Sequence, residues 1–331
     1  MDVIKNWTTK RIKRIPLFIL VFLICGVVSA DDKSTILAIR EEGKEFEYVI
    51  GIIRHELASD FAVEEMTIRK ETDAASIDKA MQSLSPKLVI LVDNKAISLY
   101  SIYQNTFNDT GFTIPSLSLM GVLVEEAIQG IKNSTGISYE IPALTGILGL
   151  QSVVRTKLGI TGVIHREFLN DFILRNKKIC HNKGLDLQNV IVPNKSSNFP
   201  LIIRNALTDL IEIKGVQCIW IPNDNVLLQP ELIQDVWIPV LSRYKVPVIV
   251  GVESLVQMEN SFGSFAVLPD HASLGNQAAS MIYEIQKNNW LVKNEGTEPP
   301  LSVFKIINYK NVKRDFGIRE EALRSIDRVL R

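Results

Sequence analysis

Residues 215–225 read Gly-Val-Gln-Cys-Ile-Trp-Ile-Pro-Asn-Asp-Asn, and residues 245–254 read Lys-Val-Pro-Val-Ile-Val-Gly-Val-Glu-Ser. Each holds a short apolar run rich in Val and Ile, 216–221 and 246–252, that ends abruptly in polar residues. Uninterrupted apolar runs of this length suit strands buried on both faces of a parallel sheet. Residues 230–244, between them, have the length of a crossover helix. Ligands of open α/β sheets sit beyond the carboxyl ends of the strands. The polar tips Asn223, Asp224 and Asn225, then Glu253 and Ser254, are therefore the first candidates for ligand contact.

The same pattern extends in both directions. Runs at 35–39, 61–68, 88–92, 114–120 and 138–144 read as strands, and helical spacing fills 46–57, 74–84, 96–107, 122–131 and 147–158 between and after them. A second round begins after Gly159, with strands at 160–164 and 190–192 and helices at 168–182 and 200–213. Residues 288–300 are polar and read as a loop, 301–307 as a late strand and 320–330 as a terminal amphipathic helix. Two rounds of strand–helix alternation imply an α/β chain of two doubly wound parallel-sheet domains. The other strand tips add Arg40 and Glu41, Asp93, Ser118, His165 and Arg166, Asn194 and Asp270 to the candidate site. Asp224 is the foremost of these, since a carboxylate at a strand tip accepts charge-strengthened hydrogen bonds from an ammonium or hydroxyl group. Capping of a helix start is its alternative role. An Arg40 or Arg166 guanidinium offers a fork for a ligand carboxylate.

The chain has 331 residues and a formal charge of zero, but the two signs are unevenly placed. Five of the 37 basic residues and one of the 37 acidic ones fall in residues 1–30, which leaves 32 basic against 36 acidic and a charge of −4 for the rest. A mildly acidic body does not suit a nucleic-acid partner. Residues 1–30 show a basic start ending at Arg14, an apolar run from 15 to 28, and Val28-Ser29-Ala30 before Asp31. That is the pattern of a secretory signal peptide cleaved near Ala30, with an uncleaved anchor as the alternative. Cys180 and Cys218 remain in the body and read as two separate thiols.

The four histidines, His55, His165, His181 and His271, have no zinc-type partners at helical or CxxC spacing. There is no nucleophile elbow, P-loop or GxGxxG. The sequence therefore points to binding without catalysis, metal or cofactor.

Ile221-Pro222-Asn223-Asp224-Asn225 after one strand, Val246-Pro247-Val248 opening the next, Asp270 followed by Leu274-Gly275 and Ala278-Ala279, and Phe316-Gly317-Ile318 near the end form an ordered set. This order resembles the solute-binding proteins of ABC transporters with the type I periplasmic-binding fold, in the group that includes tryptophan and other aromatic amino-acid binders. The resemblance implies a first domain of 34–159 plus about 270–300 and a second of 160–269, with 301–331 assigned to neither. It implies a small-molecule ligand held in a cleft between the domains, closure about a hinge, and delivery to an ABC permease from the periplasm or an equivalent secreted location. A ligand sensor that signals to a membrane receptor or kinase is the alternative. Relatives often carry Asp-Pro after the fourth strand, where this chain runs Met120-Gly121-Val122, so one common polar group of the cleft is missing.

Overall fold

The structure, a computed structural model, describes residues 33–107, 113–257 and 262–331. The signal-peptide reading of residues 1–30 lies outside them. Among the described residues no helix is long and apolar enough to cross a membrane.

Two sheets organise the body. The first contains β1 (Ser34–Arg40), β2 (Phe61–Thr67), β3 (Leu88–Val92), β4 (Ser116–Leu119), β5 (Ser134–Ile137) and β11 (Gly296–Glu298). Its order is β11-β5-β4-β3-β1-β2, and every pairing is parallel. The second contains β6 (Ile160–Arg166), β7 (Asp186–Val192), β8 (Cys218–Ile221), β9 (Val248–Val250), β10 (Phe265–Pro269), β12 (Val303–Asn308) and β13 (Arg328–Leu330). Its order is β13-β12-β10-β9-β8-β6-β7, with β12 antiparallel to β10. Each sheet thus begins with the same doubly wound order, and each reverses direction between its first and third strands, at β1/β3 and at β6/β8. Those are the topological switch points where such folds take ligands.

The central strands explain themselves. Leu88–Val92 and Cys218–Ile221 are buried along their whole length, as strands covered by helices on both faces must be. Helix His271–Lys287 lays Leu274, Ala278, Ile282 and Ile285 against helix Lys44–Leu57, where Val49, Ile50, Ile53 and Leu57 face it in one apolar cluster. Full burial of each large side chain is worth about 1.5–3 kcal/mol. Gly275 lets the two helices touch: a Cβ there would lie 2.9 Å from the Ile52 Cβ.

The chain crosses between the sheets three times, at 138–142, at Asp270 and at 299–302. These crossings are tied together. The Ser138 amide donates to the Glu298 carbonyl at 2.9 Å, and the Asp270 amide to the Ser302 carbonyl at 3.0 Å. Parallel connecting segments of this kind give a natural hinge.

Several elements differ from the sequence reading. The fifth strand ends at Ile137, not within 138–144, because Pro142 has no amide to pair and instead opens helix Ala143–Val153. That helix packs on the second sheet through Ile147, Leu150 and Val153. The helix expected at 122–131 shrinks to Val124–Ala127, bounded by positive φ at Leu123 and Gly130. Residues 320–330 form a short 3-10 turn, Glu320–Ser325, followed by β13. The Asp327 carboxylate takes the Lys305 amide at 2.7 Å and draws this segment into sheet pairing. Within the loop expected at 288–300, β11 adds an edge strand to the first sheet. Helix 230–244 widens to a π-type turn at Ile233–Trp237, where Pro239 supplies no amide to the turn before it. Cys180 and Cys218 are separate buried thiols.

Candidate functional site

At the switch point of the second sheet the polar tips meet each other. The Arg166 Nε and Nη2 donate to the two Asp224 oxygens at 2.7 and 2.8 Å, a bidentate fork. Asp224 Oδ1 also accepts the Val226 amide at 2.9 Å, and Asp224 is only 3% exposed. Arg166 Nη1 reaches the Asn194 carbonyl at 3.0 Å, and its guanidinium stands 4.6 Å over the Phe168 ring. The Asn194 side chain accepts the Phe168 amide. The structure thus brings together Asp224, Arg166 and Asn194, in bonds to one another. Asn225 is exposed beside them. His165 is fully buried and turned toward Asn189, with Nε2 3.2 Å from Asn189 Nδ2. Burial lowers its pKa, so it is held neutral.

The switch point of the first sheet is similarly self-engaged. Arg40 Nε donates to Glu65 at 2.6 Å, and Arg54 bonds the same carboxylate. Burial opposes the Glu65 charge, but the two guanidiniums outweigh it and lower its pKa. Glu41 holds Lys95 Nζ at 2.7 Å. Asp93, at φ +79°, accepts the amides of Lys95, Ala96 and Glu41, and burial raises its pKa. Ser118 is buried within β4. Asp270 caps helix His271–Lys287 through the Ser273 amide at 2.8 Å, and Glu253 is engaged by Arg328 and Gln257.

Ser118 Oγ is left without a hydrogen-bond partner there among the described residues, and further groups with bonding capacity left lie along the first crossing. Residues 139–142 run past the carboxyl ends of β8 and β9, where a cavity of about 20 Å³ is lined by Tyr139, Glu140, Phe172, Trp220, Asn223 and Gly251, among others. Of the thirteen candidates from sequence, only Asn223 lines it. Asn223 Oδ1 is buried and has no hydrogen-bond partner among the described residues. A Cβ on Gly251 would lie 2.4 Å from that oxygen, so glycine is what lets the amide sit there. Glu140 accepts the Leu123 amide at 2.8 Å. Burial pushes its carboxyl from an ordinary 4.5 up to about 7, with the charge of Glu126 adding to the rise. Next to it, the Tyr139 hydroxyl and His271 Nε2 share a hydrogen bond at 2.9 Å, with the rings stacked 6.0 Å apart. Burial raises the Tyr139 pKa far above its usual value and lowers that of His271, so both stay neutral near pH 7.

Chemically the cavity offers hydrogen-bond acceptors from Asn223 and Glu140, beside the aromatic faces of Phe172 and Trp220, whose centroids lie 5.9 Å apart. That combination suits a ligand with N–H donors and a flat or apolar body. A volume of about 20 Å³ admits no more than a water, whereas ligand pockets run to roughly 300–1,000 Å³. Among the described residues no group of three or more His, Cys, Asp or Glu side chains is placed to hold a metal ion. Sequence reasoning missed Tyr139 and Glu140 because it placed them inside a strand. The signal was an aromatic–acid pair, Tyr139-Glu140, immediately before Ile141-Pro142 at the join of the two rounds.

No family model matches the sequence, and no curated protein matches it. Solved structures do. The ABC domain in complex with L-Trp from Streptococcus pneumonia aligns with a TM-score of 0.57 at 17% identity, over 89% of this chain and all of that one. A substrate binding protein with adhesive properties from Clostridium difficile, in its ligand-free, open structure, aligns with a TM-score of 0.65 at 14% identity, over 90% and 99%. A glucose-galactose binding protein from Geobacillus stearothermophilus gives 0.50 at 10%, over 83% and 98%. These likenesses establish the fold as the type I periplasmic-binding fold.

Proposed function

We propose that this chain is an extracytoplasmic solute-binding protein that takes a small molecule between its two sheets and presents it to an ABC permease, without chemical turnover. The observation that carries the reading is the unpartnered Asn223 carbonyl in the cavity between the first crossing and the carboxyl ends of β8 and β9, which a Glu140 carboxyl poised near neutrality also lines. Asn223 Oδ1 accepts, and so does Glu140 once its proton has left, so a solute with an ammonium or amide donor suits both. An amino acid with an aromatic side chain fits the donor requirement and the Phe172 and Trp220 faces together. The L-Trp held by the Streptococcus structure is in keeping with this. Contacts made only when the lobes close on the solute supply the free energy of closure. A solute ammonium beside Glu140 stabilises the carboxylate and releases its proton on binding near pH 6–7.

A thermal-shift screen of the full chain against amino acids, nucleosides, sugars and short peptides tests the reading. A solute at about 100 times its Kd adds roughly 2.7 kcal/mol to the folded state. The expected result is a rise in Tm for wild type that is absent in Asn223→Leu. A solute that raises both equally binds elsewhere, and a screen with no responding solute would count against solute capture.

A further inference from the structure

A second cavity lies against the first and third crossings. Helix Val124–Ala127 of the first lobe and helix Asn170–His181 of the second complete its wall. Its volume is about 320 Å³, which enters the range of small-molecule sites. It shares Glu140, Ile141, Pro142 and Phe172 with the smaller cavity, and its other lining residues are its own. The Glu140 carboxyl belongs to this side: Leu123, whose amide Glu140 Oε1 accepts at 2.8 Å, lines the larger cavity and not the smaller one. Glu140 is half-buried, and no ion pair meets its carboxyl among the described residues. Arg175, the cation of the lining, is engaged by Glu126 at 2.8 Å, and Glu125 stands exposed beside it. Three acids thus line the cavity against one base that is already paired. The apolar wall is within reach of a ligand: Ile179 is 39% exposed, and Phe172, Pro300 and Val303 are half-buried.

We propose that this cavity is a second ligand site, distinct from the one at Asn223, that takes an organic cation with an apolar body. The ammonium of the ligand pairs with the Glu140 carboxylate, a charge-assisted bond that no cation of the lining supplies. The apolar part rests on Phe172, Ile179, Pro300 and Val303. The site stands whether or not a solute is captured at Asn223, which does not line this cavity.

The test uses 2-naphthylmethylamine as probe and 2-naphthylmethanol as its uncharged counterpart, with calorimetry on the full chain at pH 8, where Glu140 is ionised. The amine binds in the millimolar range or tighter, and the alcohol about tenfold more weakly. Glu140→Gln keeps an acceptor for the Leu123 amide and removes the charge, so the amine weakens by about tenfold and the alcohol is unaffected. Glu125→Lys, at an exposed position, weakens the amine by about threefold at low salt, and the difference closes at high salt. Ile179→Ser trims the apolar wall of this cavity alone and weakens both probes by about threefold. Asn223→Leu leaves the affinity for the amine unaffected. Absence of binding by wild type, equal affinity for the amine and the alcohol, unchanged affinity in Ile179→Ser, or loss of binding in Asn223→Leu would each overturn the proposal. A solute screen that fails while the amine binds in this pattern overturns the proposed function and leaves the second site standing.

Discussion

At the switch point of the second sheet, Arg166 and Asp224 close a two-bond fork on each other. At the first crossing, Glu140 takes one backbone amide at 2.8 Å, and Asn223 Oδ1 takes none among the described residues. Both places are buried, and both are polar. The difference is in what the groups face. A buried ion pair with its remaining lone pairs met by backbone amides is a structural joint, and in this chain it ties the ends of β6, β7 and β8 together. A buried acceptor without a donor costs free energy as it stands and regains it when a donor arrives. Charge at a strand tip therefore does not mark a ligand site by itself; in the proposed function it is the incompletely paired groups that meet the solute.

The comparison can be broken most sharply at the joint. Asp224→Ala removes one partner of a buried pair and strands the Arg166 cation, a loss of about 3–5 kcal/mol. Urea unfolding checks this, and the companion change Arg166→Met in the same background recovers part of the loss. If Asp224→Ala unfolds like wild type, the fork is not a joint and Asp224 returns to the list of ligand groups.

The next effect is a pH dependence at the crossing. Glu140 holds its proton more tightly in the folded chain than in the unfolded one. Its contribution to stability is thus complete below an ordinary carboxylate pKa of 4.5 and declines as pH rises to about 7. Glu140→Gln removes that decline, and at pH 8 it is more stable than wild type by roughly 2–3 kcal/mol. Urea midpoints between pH 4.5 and 8 read this directly; parallel curves for the two proteins would place the titration on another group.

Gly251→Ala sharpens the comparison from the cavity side. Its methyl overlaps Asn223 Oδ1, so the amide turns away, at about 1–2 kcal/mol of overpacking. Solute affinity falls by about tenfold with the loss of that acceptor, while the Arg166–Asp224 joint keeps its stability. The smallest effect is at the ion pair between Glu126 of Val124–Ala127 and Arg175 of Asn170–His181, which spans the two lobes at 2.8 Å. Both side chains are at least one third exposed, so Glu126→Gln changes stability by less than about 1 kcal/mol and loses even that in high salt.

Much of the fold was legible in the sequence. Leu88–Val92 was read to the residue, because five consecutive apolar residues end at Asp93. Helix 74–84 was read to the residue as well, and Asp73 before it forms a capping box with Ser76. The site was less legible, for a physical reason. Sequence shows which residues stand at strand tips but not which of them satisfy each other across strands, and the Arg166–Asp224 fork joins residues 58 positions apart. Asn223 was read as a tip residue and lines the cavity, whereas Tyr139 and Glu140 were hidden inside an expected strand that ends earlier. The terminal segment misled because Glu320–Leu330 has helical spacing, while its fate was settled by the Asp327 bond to the distant Lys305 amide.

The central claim is that a solute enters between the lobes and closes them. Spin labels on cysteines at Lys95, in the first turn of the helix after β3, and at Asn225, in the turn after β8, measure it most directly. Cys180 and Cys218 stay unlabelled, since both are buried and burial pushes the Cys180 thiol up to about 11; Cys25→Ser removes the third. The account predicts a broad distance distribution without solute that narrows to its short end when the solute from the screen is added, and no such change in Asn223→Leu. A bound solute that leaves the wild-type distribution unaltered would contradict it.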